Sequence, residues 1–265
     1  MISNWLSVYF AALLLCSTAS AIEAECVRWF NAAKISPLSN DCVAKCSALS
    51  VDMGTFTCSD RCDDLCRASV HSCEEIRAEI GKSLKDGDPP KWERRAEHTK
   101  RWTPAEKAKV ISAFLRLPVR IRDSKNVHIY RMKTSADKGN PASTLGSSTV
   151  LYDAAFRADV SLDQILAHEL AHHFFATWSD LDREAYELAG NWIRPPGIGR
   201  PIPGRKASEF VQEDGVISPE EDFANNIEAL LYDDTRLKKV SPGVHRWLHN
   251  YFGDSLKVGG LCATK

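Results

Sequence analysis

Hydrophobic positions along the chain change their period several times, and each change predicts an element. Leu162, Ile165, Leu166 and Leu170 recur at helical spacing, and Ser161 with Gln164 ahead of them reads as an S-x-x-Q capping box. His173, Phe174 and Phe175 extend the apolar face of that helix. Just upstream, residues 148–152 have the β-branched and aromatic content of a short strand. A second helical stripe, Phe223, Ile227, Leu230 and Leu231, follows Ser218 at an N-cap, Pro219 at N1 and Glu221 at N3. Thr103 and Pro104 open a further helix running to about Leu115, which Pro118 stops. Residues 127–130 read as a strand, 137–148 as a polar Gly/Pro-bearing loop, 182–187 as helix-like and 244–252 as a final helix. The Pro- and Gly-rich stretch 194–204 has no simple period and predicts a long irregular loop.

The ends of the chain change the picture. An apolar run from Trp5 to Cys16, closing in Ser17-Thr18-Ala19-Ser20-Ala21, reads as a secretory signal cleaved after Ala21 and too short for a good membrane span. Its first residues lack Lys and Arg, and Leu15 stands where a lipoprotein has a small residue before the cysteine. The mature chain is therefore expected to be secreted or periplasmic, with no stable membrane anchor. Of nine cysteines, Cys16 leaves with the signal, so the remaining eight form an even set in an oxidising compartment. Cys26, Cys42, Cys46, Cys58, Cys62, Cys66 and Cys73 cluster near the start, while Cys262 stands alone at the far end. Four disulfides are expected, one of them tying Cys262 back to the N-terminal region; a thiolate metal site in the cluster is the alternative. Residues 81–90 read as a linker. This divides the chain into a signal (1–21), a small disulfide-rich, mainly helical domain (22–88) and an α+β domain (89–265). With 34 basic and 35 acidic side chains, no nucleic-acid partner is indicated.

The chemistry sits on the helix after residue 161. His168-Glu169-Leu170-Ala171-His172 is an HExxH motif. Two histidines four residues apart project from one helix face and reach one metal ion, while the glutamate between them lies about 100° around the helix, placed to hold a water. A catalytic zinc needs a third protein ligand and an open position. Phe175 and Trp178 occupy the places where a metzincin has its glycine and third histidine. The ligand is then a later glutamate: Glu221 is the first candidate, Glu184 and Glu187 the alternatives. Tyr232 and His245 are candidates to stabilise the oxyanion, and the strand at 148–152 is a candidate substrate-binding edge.

A strand, a capped HExxH helix and a later P-x-E-D-F-A segment (Pro219, Glu221, Asp222, Phe223, Ala224) together resemble the lethal-factor-like zincins and bacterial secreted or toxin-associated zincin-like metallopeptidases. The resemblance covers about residues 103–252. It implies a gluzincin site, with Zn²⁺ on His168, His172 and Glu221 and with Glu169 as general base. Where the lethal-factor pattern has a glutamate supporting a ligand, this chain has Asn225, with Glu228 as a substitute. The implied activity is zinc-dependent endopeptidase, the implied partner a protein or peptide substrate, with an inhibitor or immunity protein as a further partner. Peptidoglycan amide hydrolysis and a non-catalytic effector on the same scaffold are the competing functions.

Overall fold

The structure is a computed structural model, and it describes residues 73–88, 90–93, 98–122, 127–135 and 139–252. The chain divides into two compact units, Met1–Ser72 and Cys73–Lys265. Cys26, Cys42, Cys46, Cys58, Cys62, Cys66, Cys262 and the segment 1–21 expected to be a signal lie outside the described residues, and Cys73 opens the first described helix.

The second unit is α+β. In chain order it contains α1 (Cys73–Ser83), β1 (Leu84–Lys85), α2 (Pro104–Arg116), α3 (Val119–Arg122), β2 (His128–Arg131), β3 (Ala142–Leu145), β4 (Ser148–Leu151) and α4 (Leu162–Ala176). Then follow α5 (Asp180–Ala189), β5 (Trp192–Ile193), β6 (Ile202–Pro203), α6 (Pro219–Tyr232), α7 (Asp234–Val240) and α8 (Pro242–Phe252). Residues 73–88 thus supply a helix and a strand to this unit. β1 pairs in parallel with β2, Leu84 opposite Ile129, so residues 81–90 are not the linker their polar composition suggests. Trp102 fastens the segment, donating from its backbone N to Asp86 Oδ1 and from its indole to the Lys85 carbonyl.

The sheet runs β1-β2-β4-β3, with β1, β2 and β4 parallel and β3 antiparallel to β4. The sequence reading of β4 as a substrate-binding edge is therefore corrected: β4 has a neighbour on each side, and its backbone donors and acceptors are used in the ladders. The edges are β1 and β3, and β3 is the strand whose polar residues predict a loop. A two-residue turn joins β3 to β4, Leu145 facing Ser148, and Gly146 sits there at φ 60°, a left-handed conformation that favours glycine.

Local chemistry accounts for the helices. Thr103 and Glu106 form a reciprocal capping box on α2, with Pro104 in its first turn. The Ser161 hydroxyl caps α4 through the Gln164 N–H, and Ser218 caps α6 through the Glu221 N–H. α4 packs against α6 and is buried almost all round. Leu166, Leu170, Phe223 and Ile227 meet Ile129, Leu151, Leu248 and Phe252 in one core. Phe174, Phe175, Trp178, Tyr186 and Phe223 stack beside it, with ring centroids 4.5–6.3 Å apart.

A charged group is also built into the fold. Arg131 closes β2 fully buried, its guanidinium donating to Glu106 Oε1 (2.8 Å from Nη2, 3.1 Å from Nε) and to Asp153. It lies 4.4 Å from the Phe156 ring centre. Burial works to raise the Glu106 pKa. Hydrogen bonds from Thr103 and Arg131 outweigh it and hold the carboxyl down at about 2.

Candidate metal centre

α4 and α6 bring three donor atoms to one point. His168 Nε2 and His172 Nε2 lie 3.2 Å apart, and Glu221 Oε2 lies 3.6 Å from each. Bonds of 2.0–2.1 Å at a tetrahedral angle would set donors about 3.3 Å apart, so the three atoms stand near the corners a zinc-sized cation requires. The helix starts create this match. The Ser161 cap fixes the phase of α4, and the four-residue interval puts both rings on one face. Ser218 and Pro219 fix where α6 begins, which places Glu221 in its first turn opposite them.

His172 is held from behind, its Nδ1 3.2 Å from Glu220 Oε1, whereas behind His168 the Glu228 Oε2 stands 3.8 Å from Nδ1, beyond hydrogen-bonding distance. Gln212 Nε2 donates to Glu228 Oε2 at 2.9 Å, bringing the long 190–217 connection into the site. Carboxylates behind histidines fix the ring orientation and raise the basicity of the nitrogen facing a metal. Glu228 is the substitute expected from sequence; Glu220 and Gln212 were not anticipated. The residue before Glu221 on the same helix points about 100° away from it, so no local period marks Glu220 as a partner of His172.

Electrostatics follow from the same contacts. Burial lowers the His168 pKa, but the Glu221 carboxylate and the charges of Glu169 and Glu228 outweigh it, so the net shift is upward. Glu221 is held below its usual range by the imidazole of His168 beside it, against its own burial. Burial pushes Glu228 up, against the charge of His168 and the Gln212 hydrogen bond. The cluster has the carboxylate-imidazole balance that suits a cation.

Glu169 is buried within α4, and its Oε2 has no hydrogen-bond partner. An unpaired carboxylate oxygen in a helix buried almost all round costs free energy that ordinary packing does not return. The next turn is satisfied: His173 Nε2 lies 2.8 Å from Thr149 Oγ1, which lies 2.7 Å from Thr144 Oγ1, binding α4 to β4 and β3. Burial, with the charge of His172, lowers the His173 pKa to about 4 and keeps that ring neutral.

The residue after Glu221 anchors the loop. Asp222 is buried and accepts from the Tyr186 hydroxyl and the Trp192 indole, both at 3.0 Å, and from Asn226 at 2.8 Å; Arg205 is its ion-pair partner. β5, β6 and the 190–217 connection are thereby tied to the turn of α6 that carries Glu221.

The other sequence candidates stand elsewhere. Glu187 is buried in a two-point pair with Arg194, at 2.6 and 2.7 Å, and Glu184 is exposed on α5, so neither joins the histidines. Tyr232 closes α6, its hydroxyl buried without a hydrogen-bond partner and its pKa raised by burial and by the charge of Asp163. His245 lies in a separate cluster with Asp234 and His249.

No family model, curated protein or solved structure matches this chain.

Proposed function

We propose that this chain is an exported zinc-dependent endopeptidase with a gluzincin-type site on a zincin-like domain. The observation carrying the reading is the convergence of His168 Nε2, His172 Nε2 and Glu221 Oε2 beside a buried carboxylate, Glu169, that has an unpartnered oxygen. His168, His172 and Glu221 would hold Zn²⁺. Bound there, the ion supplies Lewis acidity toward a peptide carbonyl and toward water at its open position.

The chain's own residues do the rest. Glu169 accepts a proton from the attacking water and returns it to the leaving amine. Glu220 holds the His172 imidazole in orientation, and Glu228 places a carboxylate beside His168. An extended peptide pairs with the free side of β3, which packs against α4. Of the two oxyanion donors considered, Tyr232 keeps an uncommitted hydroxyl, whereas His245 faces Asp234. A non-catalytic scaffold has no use for a buried, unpaired Glu169, which favours an enzyme.

Casein and muropeptides, each incubated with the purified mature chain, test the reading. Casein cleavage that a chelator abolishes and added zinc restores is the expected result. Cleavage of muropeptides alone would replace the reading with peptidoglycan amide hydrolysis. Cleavage of neither would overturn it.

A further inference from the structure

A second set of side chains able to ligate a metal lies on α7 and α8, the last two helices among the described residues, apart from the His168–Glu221 cluster. His245 and His249 stand four residues apart on α8, so both rings leave one face of the helix. α7 presents Asp234 to them. His245 Nε2 lies 2.9 Å and His249 Nε2 3.2 Å from the same oxygen, Asp234 Oδ1, and the three donor atoms fall within 4.8 Å of one another. The opposite face of α8, with Val244, Leu248 and Phe252, is buried in the core, which fixes where the two rings point.

A hydrogen bond accounts for the contact of His249 Nε2 with Asp234 Oδ1, at 3.2 Å, but not for that of His245. The His245 Nε2 atom is buried and makes no hydrogen bond despite its closeness to Asp234. A divalent ion bound by the two imidazoles and the carboxylate would satisfy all three donor atoms at once. Separations of 2.9 and 3.2 Å are close to the roughly 3.3 Å set by tetrahedral zinc. Imidazole donors select a zinc-class transition ion over calcium or magnesium.

We propose that Asp234, His245 and His249 form a second, non-catalytic zinc site that clasps α7 to α8. Asp234 and His249 are each about half exposed, at 48% and 50%, so this ion exchanges with solvent more readily than one between α4 and α6. The same exposure makes His249→Ala and Asp234→Asn safe for folding.

The test is zinc content of the mature chain after dialysis against zinc-buffered solution, with thermal melting in parallel. The parent should hold one zinc more than His249→Ala or Asp234→Asn, and both variants should lose part of the zinc-dependent rise in Tm. Glu221→Ala should lose a different equivalent, and the Glu221→Ala/His249→Ala double variant both. Zinc lost from His249→Ala but not from Glu221→Ala would uphold this site while removing the proposed catalytic one. Equal zinc content in the parent, His249→Ala and Asp234→Asn would overturn it.

Discussion

Glu220 meets His172 from the side of the ring that Glu221 leaves free. Glu220 Oε1 lies 3.2 Å from Nδ1, while Glu221 Oε2 lies 3.6 Å from Nε2, so two consecutive residues of α6 grip opposite edges of one imidazole. In the proposed site one would be a ligand and the other the group that orients a ligand. Glu220→Ala should therefore weaken zinc binding by about 10–100-fold without abolishing it, whereas Glu221→Ala should remove it. Competition with a chromophoric chelator measures both. Equal losses in the two variants would contradict the division of roles.

Glu169 is expected to act on water and not on the metal. Glu169→Gln should keep the parental zinc content and melting temperature while turnover falls by about 10²–10⁴-fold, the usual contribution of a positioned general base. Zinc content and kcat measured on one preparation decide it. Parental turnover in the variant would contradict the assignment.

These two expectations differ in how far sequence alone supports them. His168, Glu169 and His172 are legible because helical geometry converts a four-residue interval directly into a shared face, and the Ser161 cap marks the helix. Glu221 is legible through Ser218 and Pro219, which fix the start of α6. Glu220, Gln212 and the Asp222 network depend on how α4, α6 and the 190–217 connection pack, which no local period encodes. β3 was hidden for a different reason: Ala142-Ser143-Thr144-Leu145 lacks an apolar alternation, and its partner β4 supplies the ladder. β1 pairs over two residues, too few to show a period. His245 follows Glu221 at a plausible distance along the chain, but the break at Ser241 between α7 and α8 sets it against Asp234.

Acid should unfold the protein partly through Glu106. Its carboxyl is held at about 2 when folded, against 4.5 as the ordinary value, so between these limits the unfolded chain binds more protons. The stability it contributes is complete above about pH 4.5 and is lost as the pH falls toward 2. Glu106→Ala, which leaves the buried Arg131 with Asp153 as its remaining carboxylate partner, should cost about 1.5–3 kcal/mol at neutral pH. It should also flatten the stability curve in that acid window. Urea titrations across the pH range measure both, and an unchanged acid slope would contradict the pairing argument.

The cysteines of the mature chain are expected to form four disulfides, one joining Cys262 to the N-terminal segment. A short segment that buries little apolar surface needs such staples. Mass spectrometry of non-reduced peptides should find no free thiol. Cys262 recovered as a thiol, or zinc held by Cys42, Cys46, Cys58 and Cys62, would replace disulfides with a thiolate metal site.

The central claim, a catalytic zinc between α4 and α6, is tested most directly by anomalous diffraction at the zinc edge from crystals of the mature chain grown with zinc. The account predicts a peak bonded to His168 Nε2, His172 Nε2 and Glu221 Oε2, about 2.0–2.2 Å from each, with Glu169 outside the coordination sphere. Crystals without a peak at that position, or with Glu169 as a ligand, would contradict it.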